Sequence, residues 1–161
     1  MPGEAVYRSP SILAGYYRNE PATREALRDD WFHSGDSCAY DEDGQRVMLD
    51  RYKDIVKTGG ENVSSLRVEA VLHQHPDITK AVVIGLPHPH WGDAVTAVVV
   101  PSDGAHPDPA DIIAFCRARL GGYETPKRVI FADSVPETVG GKVLKYKLRT
   151  ELAATYADEP A

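Results

Sequence analysis

Apolar and polar residues change rhythm near residue 50. Before it, apolar residues come in short pieces separated by turn formers. Val6-Tyr7-Arg8 reads as a strand, and the stretch from Ser37 to Leu49, folded at Asp43-Gly44, reads as a hairpin. Pro21 to Arg28 reads as one short helix with proline in its first turn. None of these pieces can build a core alone, which predicts that residues 1–50 are a β-rich remnant of a larger body.

From Arg51 onward the pattern predicts a compact α+β unit, residues 51–161, with a core of its own. Asp54-Ile55-Val56-Lys57 is a strand running into the Gly59-Gly60 turn, and Ser64 caps a helix through about His73. Ala81 to Leu86 and Ala94 to Val100 are β-rich runs on either side of Pro87-His88-Pro89-His90-Trp91-Gly92, the pattern of an antiparallel pair. Pro109 to Leu120 is a helix whose Ile112, Cys116 and Leu120 fall four apart on one face. Arg128 to Phe131 adds a strand, and Lys145 to Tyr156 closes the chain as a helix. The expected fold class is therefore α+β: a small mixed or antiparallel sheet with packed helices.

Composition narrows the classes of function. With 18 basic and 24 acidic side chains the net charge is −6, which argues against a dedicated nucleic-acid binder. The distribution says more: residues 1–50 hold 5 basic and 10 acidic side chains, residues 117–149 hold 8 and 3. A basic segment on an acidic chain suits a phosphorylated small molecule, and it also suits a solvated helix face. No window approaches eighteen consecutive apolar residues, and Met1-Pro2-Gly3-Glu4 has neither a basic start nor an apolar core, so no membrane span or signal peptide is expected. Cys38 and Cys116 match no metal spacing; a cytoplasmic chain with reduced thiols is the expectation.

Candidate chemistry is sparse residue by residue. Asp36, after Ser34-Gly35, offers two acceptor oxygens to vicinal hydroxyls, although a turn aspartate explains it equally. Gly59-Gly60 lets backbone approach a ligand closely, and a hairpin needs the same glycines. Lys142, after Gly140-Gly141, is a phosphate-binding ammonium on a flexible loop or plain surface. The pairs His73/His75 and His88/His90 lack a third ligand, so no metal site is expected. Cys116 lies in an apolar stripe and is expected to pack in the core.

In series these residues carry more. Trp31-Phe32-His33-Ser34-Gly35-Asp36, then Asp50-Arg51-Tyr52-Lys53-Asp54-Ile55-Val56-Lys57-Thr58-Gly59-Gly60-Glu61-Asn62-Val63, then Pro136-Glu137-Thr138-Val139-Gly140-Gly141-Lys142-Val143-Leu144-Lys145 together resemble the last third of AMP-forming acyl-CoA synthetases. These belong to the adenylate-forming superfamily. The resemblance runs from about Gly3 to Leu152, and Gly60-Glu61-Asn62-Val63-Ser64-Ser65 is most similar to the fatty-acyl ligases. Such enzymes join a carboxylic acid to ATP as an acyl-adenylate, with Mg2+ expected, and then let coenzyme A displace AMP. By resemblance, Asp36 would hold the ribose hydroxyls with Arg51 beside it. Lys142 would bridge the carboxylate and the α-phosphate; Gly59, Gly60 and Glu61 would line the pantetheine path; Lys53 sits where the family places its hinge.

Three features depart from that pattern. The Ser/Thr/Gly-rich loop that cradles the β- and γ-phosphates does not occur in this sequence, and the family's acyl pocket belongs to the larger N-terminal body. Adenylation is therefore expected to need an N-terminal adenylation domain, in cis or in trans. In addition, Arg67 stands where many relatives carry a Glu that completes a capping box with Ser64, which predicts a weaker helix start. The expected function is the C-terminal part of a carboxylic acid:CoA ligase. The alternative is a free-standing, non-catalytic module that docks on a separate adenylation domain.

Overall fold

The strand-like pieces of the first fifty residues find a place in one antiparallel sheet of order β1-β2-β3, where β1 is Gly3–Tyr7, β2 is Phe32–Tyr40 and β3 is Arg46–Arg51. The computed structural model describes residues 2–159, and the chain divides into two compact units, Met1–Lys53 and Asp54–Ala161. In the first unit α1, Glu20–Ala26, is capped by Asn19, whose side chain accepts from the Ala22 N–H at 3.2 Å. The helix ends before the expected Arg28. Asp29 and Asp30 take φ of 56° and 62°, a region that aspartate tolerates better than most residues, and Arg28 turns its guanidinium to Glu4 at 3.0 Å. Strand β1 starts at Gly3 rather than Val6, because Gly3 and Glu4 pair with Cys38 and Ser37. Among the described residues of this unit, Ala5 is the one buried apolar side chain, so packing alone contributes little to its stability.

The second unit is built around the long antiparallel pair β6, Ile78–His88, and β7, Gly92–Pro101. Two hydrophobic clusters divide these strands by residue parity. Val83, Val95 and Val99 join one cluster, and Val82, Ile84 and Val98 join the other. Side chains alternate across a strand, so the sheet is covered on both faces, which is why its sequence reads as nearly continuous apolar runs. Helices α2, Ser65–Leu72, and α3, Pro109–Arg117, supply Val68, Leu72, Ile112 and Cys116 to the first face. Helix α4, Lys145–Glu151, supplies Leu148 to the second, with Val135 and Tyr156.

Strand β8, Arg128–Phe131, lies parallel to β7, and the hairpin of β4, Val56–Thr58, and β5, Glu61–Val63, meets β7 at Thr58 and Gly92. The fold is thus α+β with a mixed sheet, as expected. Several boundaries differ, and β6 and β7 run beyond the expected Ala81–Leu86 and Ala94–Val100. The strand read at Asp54–Lys57 begins at Val56 and ends at Thr58, and α3 stops at Arg117. The last helix ends at Glu151 instead of Tyr156: the Arg128 guanidinium takes the Thr155 carbonyl at 2.9 Å, and Tyr156 is drawn into the core. Among the described residues no helix is long and apolar enough to cross a membrane.

The start of α2 is held without a capping box. Ser64 Oγ accepts from the Arg67 N–H at 3.2 Å, while the Arg67 side chain reaches Glu124 at 2.8 Å. His73 is also structural: its Nδ1–H donates to the Glu69 carbonyl at 2.8 Å and its Nε2 accepts from the Ala81 N–H at 3.2 Å, tying α2 to β6.

Candidate functional site

In the first unit Asp36 lies on β2 directly across from Arg51 on β3, with Arg51 Nε 3.4 Å from Asp36 Oδ1. That oxygen is buried and accepts no hydrogen bond. A buried acceptor left unmet is unusual, and a partner that brings hydroxyl donors to this carboxylate relieves it. The backbone around Asp36 is fixed by groups that the sequence alone did not bring forward. Gly35 N–H donates to Glu4 Oε1 at 3.0 Å, Ser34 Oγ donates to the Ala5 carbonyl at 2.7 Å, and the Asp36 N–H donates to Ser34 Oγ at 3.1 Å. Glu4 also takes His33 Nδ1 at 2.7 Å and Arg28 at 3.0 Å. Burial pushes the Glu4 carboxyl up, but the hydrogen bonds from His33 and Gly35 and the charges of His33 and Arg28 outweigh it and hold it below the usual carboxylate range. A glutamate at the start of a strand gives little sign of this in sequence.

In the second unit Gly59 and Gly60 form the β4–β5 turn with φ of 56° and 86°. The Gly59 N–H donates to the Trp91 carbonyl at 2.8 Å, and a Cβ on Gly59 would lie 3.2 Å from the Trp91 ring. Backbone conformation and close approach both call for glycine here. Glu61 is exposed at the far side of the same turn. Trp91 carries Lys127 Nζ over its ring at 5.0 Å and His90 edge-on at 4.4 Å, so a cation and an aromatic surface adjoin the glycines. Beside the turn, Thr58 Oγ1 is buried with no hydrogen-bond partner.

Lys142 stands on a separate, tight hairpin of the same unit. The Thr138 N–H donates to the Lys142 carbonyl at 2.9 Å, the Lys142 N–H donates to Thr138 Oγ1 at 3.1 Å, and Gly141 turns the chain at φ 78°. Glu137 bridges to Val143, and Lys80 pairs with Glu137 at the base of this hairpin. Just beyond it, Lys145 is held by Ser65 Oγ at 2.7 Å and Glu69 at 2.8 Å. The backbone is therefore anchored on both sides, while the Lys142 side chain is exposed and has no ion-pair partner among the described residues.

Residues 67–142 match the family of AMP-binding enzyme C-terminal domains. The chain carries an AMP-binding enzyme C-terminal domain. A feruloyl-CoA synthase from Amycolatopsis sp is 45% identical over 147 residues, which cover 91% of this chain and 30% of that protein. ATP-bound MatB from Rhodopseudomonas palustris superimposes with a TM-score of 0.90 at 36% identity, covering 97% of this chain and 31% of that one. The amide bond synthetase McbA from Marinactinospora thermotolerans does so with a TM-score of 0.84 at 44% identity, covering 94% and 31%. The C-terminal domain and the segment before it thus span about 30% of the length of the curated relatives they match.

The geometry fits a nucleotide's hydroxyls at Asp36, on the strength of a buried oxygen that pairs with Arg51 but accepts no hydrogen bond. At the Gly59-Gly60 turn a Cβ on Gly59 would crowd the Trp91 ring, whereas one on Gly60 meets nothing within 4 Å. Among the described residues no group of three or more His, Cys, Asp or Glu side chains is arranged to hold a metal ion. Of the pair His88 and His90, the His88 ring is otherwise engaged: its Nε2–H donates to Glu159 at 3.0 Å and its Nδ1 accepts from the His90 backbone N–H at 3.0 Å.

Proposed function

We propose that this chain is the C-terminal part of an ATP-dependent carboxylic acid:CoA ligase, with residues 1–50 a remnant of the adenylation body and residues 51–161 its mobile lid. The observation that carries the reading is Lys142. An unpaired ammonium on a backbone pinned at both ends is preorganised for negative charge that a substrate brings. In the first half-reaction the acid's carboxylate attacks the α-phosphate of ATP and pyrophosphate leaves. Lys142 offsets the charge gathering on the phosphoryl oxygens, and Asp36, with Arg51 beside it, accepts from the ribose hydroxyls. In the second, the thiol of coenzyme A attacks the acyl carbonyl and AMP leaves; Gly59, Gly60 and Glu61 leave room for the pantetheine arm. The wide exposure of apolar side chains in the first unit, among them Trp31, Val47 and Met48, supports a missing body as its partner.

The substrate acid is proposed to be fatty, on the resemblance of Gly60 to Ser65. One observation favours a second acceptor. A neighbour at 44% identity is an amide bond synthetase, so an amine in place of the thiol is the alternative for the second half-reaction. Preformed acyl-adenylate offered with coenzyme A or with an amine separates the two by product.

Labelled pyrophosphate exchange tests the main reading. The 161-residue chain alone is expected to show none. Assembled with its adenylation body it is expected to exchange in the presence of the acid, and Lys142→Ala should remove about 3 kcal/mol or more of stabilisation from that step. Thioester formation from preformed acyl-adenylate should be nearly spared. Equal damage to both half-reactions assigns Lys142 a structural role, and robust exchange by the chain alone overturns the fragment reading.

A further inference from the structure

We propose that Glu4 is a positioning residue for Asp36, holding a bulge in β2 that aims the Asp36 carboxylate at the nucleotide ribose; this rests on the role given to Asp36 above. The pairing of β1 with β2 runs from Glu4 opposite Ser37 to Val6 opposite His33, so Ala5 alone faces Ser34, Gly35 and Asp36. Extra residues in one strand break the ladder, bend the strand and re-aim its side chains. The backbone groups freed there must be satisfied by something else. Glu4 Oε1 takes the Gly35 N–H at 3.0 Å, and Ser34 Oγ joins the Ala5 carbonyl at 2.7 Å to the Asp36 N–H at 3.1 Å.

Gly35 sits at φ 73°, and its carbonyl accepts from the Tyr52 N–H at 2.9 Å, one residue past Arg51. The bulge is thus fastened to β1 on one side and to the end of β3 on the other. Glu4 is in turn oriented by His33 at 2.7 Å and Arg28 at 3.0 Å, so its two oxygens serve three donors. A carboxylate can do this; a neutral amide in its place turns its NH2 either on the Gly35 N–H or on His33 and Arg28 together. Glu25, Tyr16 and Tyr52 line the cavity onto which this cluster opens.

The experiment uses the ligase assembled from this chain and its adenylation body, and reads KM for ATP and kcat in pyrophosphate exchange for Glu4→Gln, Asp36→Ala and the double variant. Misplacement of a positioned group by a fraction of an ångström to one ångström changes rates or affinities by about ten- to a hundredfold. Glu4→Gln is expected to raise KM for ATP about tenfold, with thioester formation from preformed acyl-adenylate within about twofold of wild type. In the Asp36→Ala background the same change should add nothing, because the group it positions is gone. Equal fold-losses in both backgrounds, or an unchanged KM in Glu4→Gln, overturn the proposal while leaving Asp36 its role. An unchanged KM in Asp36→Ala overturns the role of Asp36, and Glu4 falls with it. Should Glu4→Gln fail to fold, Ser34→Ala opens the other flank of the bulge and is expected to raise KM in the same way; a folded Ser34→Ala enzyme with wild-type KM overturns the proposal.

Discussion

Cys116 is fully buried between α3 and the sheet, and that burial pushes its thiol up to about 11, with the Arg119 charge opposing the shift. Cys38 is only half-buried. Thiolate is the reactive form, so at pH 8 a disulfide reagent should modify Cys38 in the native chain and reach Cys116 only after denaturant is added. Rapid reaction of both thiols without denaturant contradicts the packing described for α3. The sign of the linked stability effect follows from the same shift. An unfolded thiol ionises near 9, so between about pH 9 and 11 the unfolded chain sheds a proton that the native chain keeps, and stability falls as pH rises through that window. The fate of Cys116 was legible in sequence, since its apolar neighbours recur at helical spacing. The buried, unmet oxygen of Asp36 and the three donors on Glu4 were not. They depend on a two-strand register with a bulge, and nothing local to Gly3-Glu4-Ala5 specifies which residues lie opposite.

The elements were legible where one strand face or helix face determines them, and less so where tertiary contacts compete. The strands β6 and β7 were readable as apolar runs, as was the cap Ser64; the cap of α3, Asp108, which accepts from the Ala110 N–H at 2.7 Å, was passed over. The end of α4 was not readable, because Leu152 to Tyr156 has no local breaker. Helix gives way there to a better arrangement: Thr155 lends its carbonyl to Arg128, and the Tyr156 hydroxyl donates to Thr96 Oγ1 at 2.8 Å inside the core, with His88 packed against the ring at 5.1 Å. Thr96 Oγ donates onward to the Ala94 carbonyl at 3.1 Å, so it is an acceptor for the phenol. Tyr156→Phe keeps the ring and loses that one bond, and is expected to destabilise by about 0.5–1.5 kcal/mol. Tyr156→Ala also opens a cavity, and about 3–5 kcal/mol is expected. Urea unfolding of the two variants measures both losses; equal small losses mean that the last turn frays and that Tyr156 does not close the second face of the sheet.

At the scale of the whole chain, the groups assigned to the two half-reactions sit on different elements. Asp36 and Arg51 belong to the first unit; Lys142 and the Gly59-Gly60 turn belong to the second, on separate hairpins. One lid must offer Lys142 in the first half-reaction and the glycine turn in the second, so the proposed function requires the second unit to rotate between them. A rotation of that kind is absorbed by a few residues at the end of an element. Lys53 is the last residue of the first unit, two residues past the end of β3, and precedes β4 at Val56. Lys53→Pro fixes one backbone dihedral there and steers Tyr52 away from the helical region. In the assembled ligase adenylation is expected to survive, and thioester formation from preformed acyl-adenylate is expected to collapse. The reverse pattern, thioester formation intact and adenylation lost, still identifies Lys53 as the pivot but with proline holding the other state. Wild-type rates in both half-reactions, in a variant whose melting temperature is unchanged, move the pivot away from Lys53 and with it the functional boundary proposed at residue 51.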